Sequence, residues 1–301
     1  MKRGIVVLSL FDGMSCGMIA LERAGVKVKK YYASELDKYA QIVSAANYPE
    51  IVRLGDITKW KEWKIEKPDL IIGGSPCQGF SFAGKGLNFN DPRSKLFFTF
   101  VDILKYYKPK YFLLENVKMK KEFQAVISDK MGCAPIEINS ALVSAQNRKR
   151  LYWTNIPNVT QPKDQGIFLK DIIETEGTGA VKSHGKVKEQ PEKSQCLDAN
   201  YHKGIDNHGQ RTGIIPKKSF PLLKEYQAKN GPGAVKRYLE KSMHQMILEN
   251  AAWRKLTPLE CERLQTVPDN YTNHVSNSQR YKMLSNGWTV DVIAHIFKGL
   301  K

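Results

Sequence analysis

Along the first half of the chain, short apolar runs alternate with segments whose apolar residues recur every three or four positions. Runs such as "IVVLSL" and "DLIIGG" lack polar alternation, which is the pattern of strands covered on both faces in a parallel sheet. Strands are predicted over Ile5–Leu10, Lys30–Ser34, Leu70–Gly73, Tyr111–Glu115 and Ile136–Ile138, with helices over Met18–Ala24, Lys38–Ala46 and Ser94–Tyr107. That order predicts an α/β fold with a doubly wound, mostly parallel sheet. After Pro157 the texture changes. Residues 158–250 are polar with weak periodicity, and "ETEGTGAVKSHGKVKEQPEKSQ" reads as loop,. A compact segment begins at Trp253, with Thr257 predicted as a helix N-cap, Pro258 at the first helical position and Glu260 completing a capping box,. Val290–Leu300 reads as a closing amphipathic helix,. The expected division is a main domain over 1–157, a small lobe over 158–250, and a C-terminal segment, 251–301, that returns to the main domain beside the first strand.

Composition narrows the function classes. No run approaches the roughly 18 apolar residues of a membrane span, so no membrane partner is expected. The start, "MKRGIVVLSLFDG", resembles the front of a signal peptide but soon meets Asp12 and lacks a cleavage pattern,. Five scattered cysteines with no C-x-x-C pair suggest neither a metal site nor a disulfide framework, and reduced thiols in a cytoplasmic setting are expected. Lys and Arg total 47 against 30 Asp and Glu, a net charge of +17. Such an excess favours a polyanionic partner, because each neutralised phosphate releases counterions; a lysine-rich solubilising surface explains it equally well.

Chemistry-bearing residues sit at predicted strand ends. The turn "LFDGMSCG" contains Gly13 and Gly17, which allow a tight strand-to-helix connection; its Asp12 argues against a pyrophosphate,. Glu35 ends "YYASE" and Asp56 ends "VRLGD". In a doubly wound sheet such acids line the ligand crevice, where they can accept from ribose hydroxyls and an adenine amine. Each alone is as readily a helix N-cap. The three in this order point to an adenosine-bearing cofactor without a diphosphate. Cys77 lies between Pro76 and a series of glycines, Gly79, Gly84 and Gly86; a loop thiol at a strand end reads as reactive rather than as core packing. Glu115 and Asn116 end "FLLEN", either as a strand-end cap or as a carboxyl whose apolar neighbourhood shifts its proton affinity,. In "QNRKRLYW", Arg148 and Arg150 stand two apart, and on a strand they would share a face,.

These motifs, in this order, resemble the DNA (cytosine-5) methyltransferases. "FDGMSCG", Glu35, "GDI", "GGSPCQGFS", "ENV", "QNRKR", "WRKLTPLECERLQTVPD" and "SNGWTVDVIAHIF" are similar to the family's successive motifs, over nearly all of the chain except about 158–250. Two departures stand out. Ser15 and Cys16 occupy positions where the family often has glycine, and the closing pair is Ser285–Asn286; both look closer to the animal de novo branch. The resemblance implies a cofactor, S-adenosylmethionine, held by Phe11, Asp12, Gly13, Met14, Glu35, Asp56, Ile57, Pro76, Leu96, Asn286 and Trp288, with S-adenosylhomocysteine as product and no metal. Plain core packing is the competing account of Leu96. It implies that Cys77 attacks C6 of a cytosine flipped out of double-stranded DNA. Glu115 would hold the base, Arg150 its O2, Arg148 would order the glutamate and loop, and Asn116 the loop backbone. Residues 158–250 would form the target-recognition lobe. A bacterial or phage restriction-modification setting, with a cognate restriction enzyme and a monomer on DNA, follows from the same resemblance. Two other functions remain open at this point: a tRNA cytosine-5 methyltransferase of the same fold, and a catalytically silent scaffold that binds a partner methyltransferase. The intact Cys77, Glu115 and Arg150 set argues against the scaffold.

Overall fold

The computed structural model describes residues 4–75, 92–184, 186–190, 192–217, 228 and 254–300, and in 92–94 and 186–189 the backbone alone. Two compact units divide the chain. The first comprises 1–139, 149–162 and 288–301; the second comprises 140–148 and 163–287.

In the first unit, β1 (Ile5–Leu10) is buried at every residue, as its uninterrupted apolar run requires. It pairs in parallel with β2 (Val28–Ser34) on one side and β4 (Leu70–Gly74) on the other. The short β3 (Val52–Arg53) extends the sheet beyond β2. On the other side, β4 pairs in parallel with β5 (Tyr111–Val117). The last two strands depart from the parallel pattern: β7 (Lys149–Thr154) enters antiparallel between β5 and β6 (Ile136–Asn139). The resulting order is β3-β2-β1-β4-β5-β7-β6. The order reverses between β1 and β4, and the carboxyl ends there mark the place where open α/β sheets bind ligands.

Helices α1 (Cys16–Arg23), α2 (Lys38–Asn47), α3 (Pro92–Tyr107) and α4 (Lys121–Met131) connect these strands. Asp37 caps α2 through Tyr39 N and Ala40 N, which stabilises such a helix by about 1 kcal/mol. An apolar cluster of Leu8, Leu10, Ile71, Phe97, Phe100, Leu114 and Trp153 fills one side of the sheet. Gly17, expected to ease the strand-to-helix turn, lies within α1 and allows close packing. A Cβ there would lie 2.5 Å from Ile72 Cδ1 and 2.7 Å from the Tyr31 hydroxyl.

In the second unit, β8 (Gly177–Ser183), β9 (Lys186–Glu189), β10 (His208–Pro216) and β11 (Arg254–Lys255) form an antiparallel sheet of order β11-β10-β8-β9. The stretch read as loop therefore contains a hairpin, β8 with β9. The described strand β8 is rich in glycine and small polar residues, and its buried centre is Gly179, Ala180 and Val181, so little apolar alternation marks it. Helix α5 (Pro258–Leu264) has the expected capping box: Thr257 Oγ1 accepts from Glu260 N at 3.1 Å, and Glu260 Oε2 accepts from Thr257 N at 2.8 Å. Helix α6 (Asn277–Asn286) follows. The last helix, α7 (Val290–Phe297), belongs to the first unit and packs on α1, the helix that leaves the first strand. Its predicted length is reduced, because Lys298–Leu300 closes as a 3-10 turn.

Candidate active site

Three acids follow three neighbouring strands of the first unit. The β1–α1 turn starts with Phe11 and Gly13 in the left-handed region, at φ 57 and 60. At Gly13 a Cβ would meet nothing within 4 Å, so the backbone angle rather than space favours glycine,. Gly13 N donates to Glu35 Oε2 at 2.7 Å, which ties this turn to the end of β2. Glu35 Oε1 accepts from Leu36 N and Asp37 N, each at 2.7 Å. Asp56 accepts from Thr58 N at 2.8 Å and caps the 3-10 turn Ile57–Glu62; those hydrogen bonds lower its pKa. Ile57 is buried beneath it, and Met14 is buried in the β1–α1 turn.

Asp12 is set differently. Its Oδ1 accepts from the Tyr31 hydroxyl at 2.8 Å and its Oδ2 from Ser15 Oγ at 2.6 Å. Burial nevertheless pushes its carboxyl up to about 6, with Glu35 adding repulsion while the hydroxyls of Ser15, Ser9 and Tyr31 pull it down. An acidic acceptor set of this kind fits S-adenosylmethionine, whose ribose hydroxyls, adenine amine and ammonium group all donate, and suits a diphosphate poorly.

The second group of residues stands where β4, β5 and β7 meet. Register places Gly74 beside Glu115, and the antiparallel β7 places Arg150 opposite Val117, on the face Glu115 shares,. Arg150 Nε lies 3.0 Å from Glu115 Oε1, and Trp288 Nε1 donates to Oε2 at 3.3 Å. Both members of the ion pair are nearly buried, with side chains 14% and 11% exposed. The apolar neighbourhood expected for Glu115 is thus replaced by a guanidinium and an indole N–H. The glycine at 74 is required for close approach: a Cβ there would lie 2.9 Å from Glu115 Oε2 and 3.2 Å from Trp288 Nε1. Asn116 Nδ2 donates to Ser75 Oγ at 3.2 Å, while its Oδ1 accepts from Val117 N at 2.8 Å. Asn116 therefore holds the last described residue before the thiol. Pro76 and Cys77 lie outside the described residues, as do Gly79, Gly84 and Gly86. Leu96 is half-buried and packs against the core of the large sheet, as does Phe11.

The two arginines part company. Strand β7 begins at Lys149, so Arg148 precedes it and the shared-face expectation does not apply. Arg148 belongs to the second unit and is buried; its Nη2 donates to Ser285 O at 3.1 Å and Gly287 O at 2.9 Å, and its Nη1 to Cys196 Sγ at 3.2 Å. It thereby grips the backbone on both sides of Asn286, whose own side chain is exposed. Gln146 is also fully buried, with Oε1 accepting from Leu197 N at 2.9 Å.

Several participants escape sequence reasoning. Tyr31 and Ser15 bind the Asp12 carboxylate, and Leu36 stands 67% exposed next to Glu35. Only Ser75 carried a signal, its place directly before Pro76 and Cys77. Among the described residues no His, Cys, Asp and Glu cluster could hold a metal ion.

The model of the C-5 cytosine-specific DNA methylase family matches residues 5–301. The type II methyltransferase M1.ScrFI of Lactococcus lactis subsp. cremoris is 30% identical over 313 residues, covering 95% of this chain and 75% of that protein. The type II methyltransferase M.HhaI of Haemophilus parahaemolyticus is 30% identical over 322 residues, covering 97% of this chain and 93% of that one. Among solved structures, a Spodoptera frugiperda DNMT2 mutant superposes with a TM-score of 0.66 at 22% identity, covering 99% of both chains. That likeness concerns the fold.

Proposed function

Because this chain belongs to the C-5 cytosine-specific DNA methylase family, we propose that it methylates C5 of a cytosine within a specific sequence of double-stranded DNA. The observation that carries this reading is the Glu115 carboxylate, held by Arg150 and Trp288 against Gly74, at the end of the strand that leads to Cys77. Bound S-adenosylmethionine supplies an electrophilic methyl group and leaves as S-adenosylhomocysteine. Asp12, Glu35 and Asp56 would hold it.

The base is flipped out of the duplex, because C6 is out of reach while the cytosine is stacked. The Cys77 thiolate adds to C6, and the electron pair of the C5–C6 double bond moves to C5, which becomes nucleophilic enough to take the methyl group. Glu115 faces N3 and the exocyclic amine, and Arg150 faces O2. Arg150 fixes the glutamate while the thiol attacks, and Asn116 fixes Ser75 and so the start of the Cys77 loop. A base then removes the C5 proton, the double bond re-forms, and the thiolate leaves. The described part of the second unit contributes Lys182 and His208 from its sheet for contacts with bases and phosphates,. The net charge of +17 favours such a partner,. The type II names of the relatives favour pairing with a cognate restriction enzyme.

The test is incubation with S-adenosylmethionine and a mixed-sequence duplex containing 5-fluorocytosine, where fluorine at C5 blocks release of the thiol. A covalent protein–DNA adduct is expected, and it is lost in Cys77→Ser. No adduct with any duplex would overturn the reading; an adduct with tRNA alone would move the substrate to RNA.

A further inference from the structure

The Asp12 carboxylate is surrounded by hydroxyls whose hydrogen-bond direction is fixed by a cation at the far end. Arg53 Nη2 donates to Ser44 Oγ at 3.0 Å, and a guanidinium never accepts,. Ser44 Oγ lies 2.7 Å from Ser15 Oγ, and Ser15 Oγ lies 2.6 Å from Asp12 Oδ2. A carboxylate only accepts, so the Ser15 proton points at Asp12 and the Ser44 proton points at Ser15. Every proton of the chain Arg53→Ser44→Ser15→Asp12 therefore runs one way. Tyr31 adds a second donor, at 2.8 Å to Oδ1. Its phenol is pushed well above its usual range by burial and by the Asp12 charge, so it stays a donor throughout the working range. Arg53 is anchored by Tyr48 O at 2.9 Å and Ile51 O at 3.0 Å.

Ser15 carries a backbone cost that only this chain of contacts explains. It adopts φ 65 in the left-handed region, where the family pattern often has glycine and where a non-glycine residue costs roughly 1 kcal/mol or more,. Its buried side chain does not cap the helix it precedes; it bridges Asp12 and Ser44 instead.

We propose that Tyr31 and Ser15 are positioning residues for the cofactor, which keep the Asp12 carboxylate ionised and oriented to receive a cationic group. The proposal rests on the reading of this site as an S-adenosylmethionine pocket. The groups that face Asp12 are Ser9 from β1, Ser15 at the start of α1, Tyr31 from β2, Glu35 from the turn after β2, and Ser44 of α2 through Ser15; Cys16 acts on Tyr31. Of these Glu35 carries the negative charge that opposes ionisation of Asp12. The donors act against that opposition.

The experiment is equilibrium binding of S-adenosylhomocysteine, which keeps the ammonium group, followed by calorimetry from pH 5 to 8.5 with urea denaturation alongside. Wild-type affinity is expected to fall as pH drops through about 6, where Asp12 takes up its proton. Tyr31→Phe is expected to move that midpoint up by about one pH unit, the effect of one lost hydrogen bond to a charged group. Affinity then drops several-fold near pH 6.5 and returns to within about two-fold of wild type at pH 8.5, where the carboxylate is ionised regardless. Ser15→Gly is expected to shift binding in the same direction while leaving the urea midpoint unchanged or higher, since it relieves the left-handed residue. Losses equal at every pH, or no loss in either variant, would overturn the proposal while leaving the pocket reading intact. If wild-type protein binds neither S-adenosylhomocysteine nor S-adenosylmethionine at any pH, the pocket reading falls, and the proposal with it.

Discussion

The two units bury acids in opposite ways. In the second unit Glu260 and Glu262 are fully buried, and each accepts four hydrogen bonds. Glu260 receives both Nη atoms of Arg254 at 2.7 Å, with Thr257 N and Glu174 N. Glu262 receives Asn270 N, Thr272 N, Thr272 Oγ1 and Arg280 Nη2. A carboxylate has about four lone-pair positions, so these two have no capacity left for a ligand. In the first unit Glu115 accepts, among the described residues, from Arg150 and Trp288, and the Asp12 carboxyl is raised to about 6 despite its hydroxyls. The saturated acids hold structure, whereas the half-satisfied ones stand at strand ends with acceptor capacity to spare. Burial alone would not have separated the two kinds; the count of donors does.

The comparison breaks most visibly at Glu115. Glu115→Gln keeps the shape and removes the charge, so methyl transfer to DNA is expected to fall about 10²–10⁴-fold with a urea midpoint close to wild type. A variant that simply unfolds would place Glu115 among the structural acids. The reverse pattern is expected for Arg280→Met. It leaves Glu262 buried without its counter-charge, which costs about 3–5 kcal/mol of stability, while turnover per folded molecule, by active-site titration, is unchanged.

Asp12→Asn sharpens the contrast through pH. The folded carboxyl binds its proton more tightly than the ordinary value of 3.8 allows. Stability therefore falls as pH rises from about 4 to about 6, and the cost is complete above that. Removing the charge is expected to stabilise the protein at pH 7.5 by up to about 3 kcal/mol, from roughly two pH units at 1.36 kcal/mol each. The gain should vanish near pH 4, and cofactor affinity should be lost in the same variant. Denaturation at the two pH values, with calorimetry, reads both.

Strands β1, β4 and β5 are legible because two-sided burial leaves apolar runs such as "IVVLSL". The capping box at Thr257 was legible because its chemistry is local. The hairpin of β8 and β9 was not, since a half-exposed sheet tolerates glycine and lysine on its strands. Glu35, Asp56 and Glu115 could be placed at strand ends, but their partners could not. Tyr31 lies 19 positions from Asp12, and Arg53 reaches it through Ser44 and Ser15. Contacts of this kind follow from register, which no short window of sequence encodes. Arg148 shows the limit from the other side: a spacing of two suggested a shared strand face with Arg150, and the boundary between the two units falls between them.

The chain passes from one unit to the other after Asn139, Arg148, Pro162 and Gly287. Neither unit is thus a single cassette that recombination could lift out intact. An exchange confined to 163–217 would replace most of the small sheet yet leave Gln146, Arg148, α5 and α6 in place, still joined to the sheet that carries Glu115 and Arg150. The interleaving thus confines any exchange of the small sheet to an internal stretch, with both units still tied together by the four crossings of the chain.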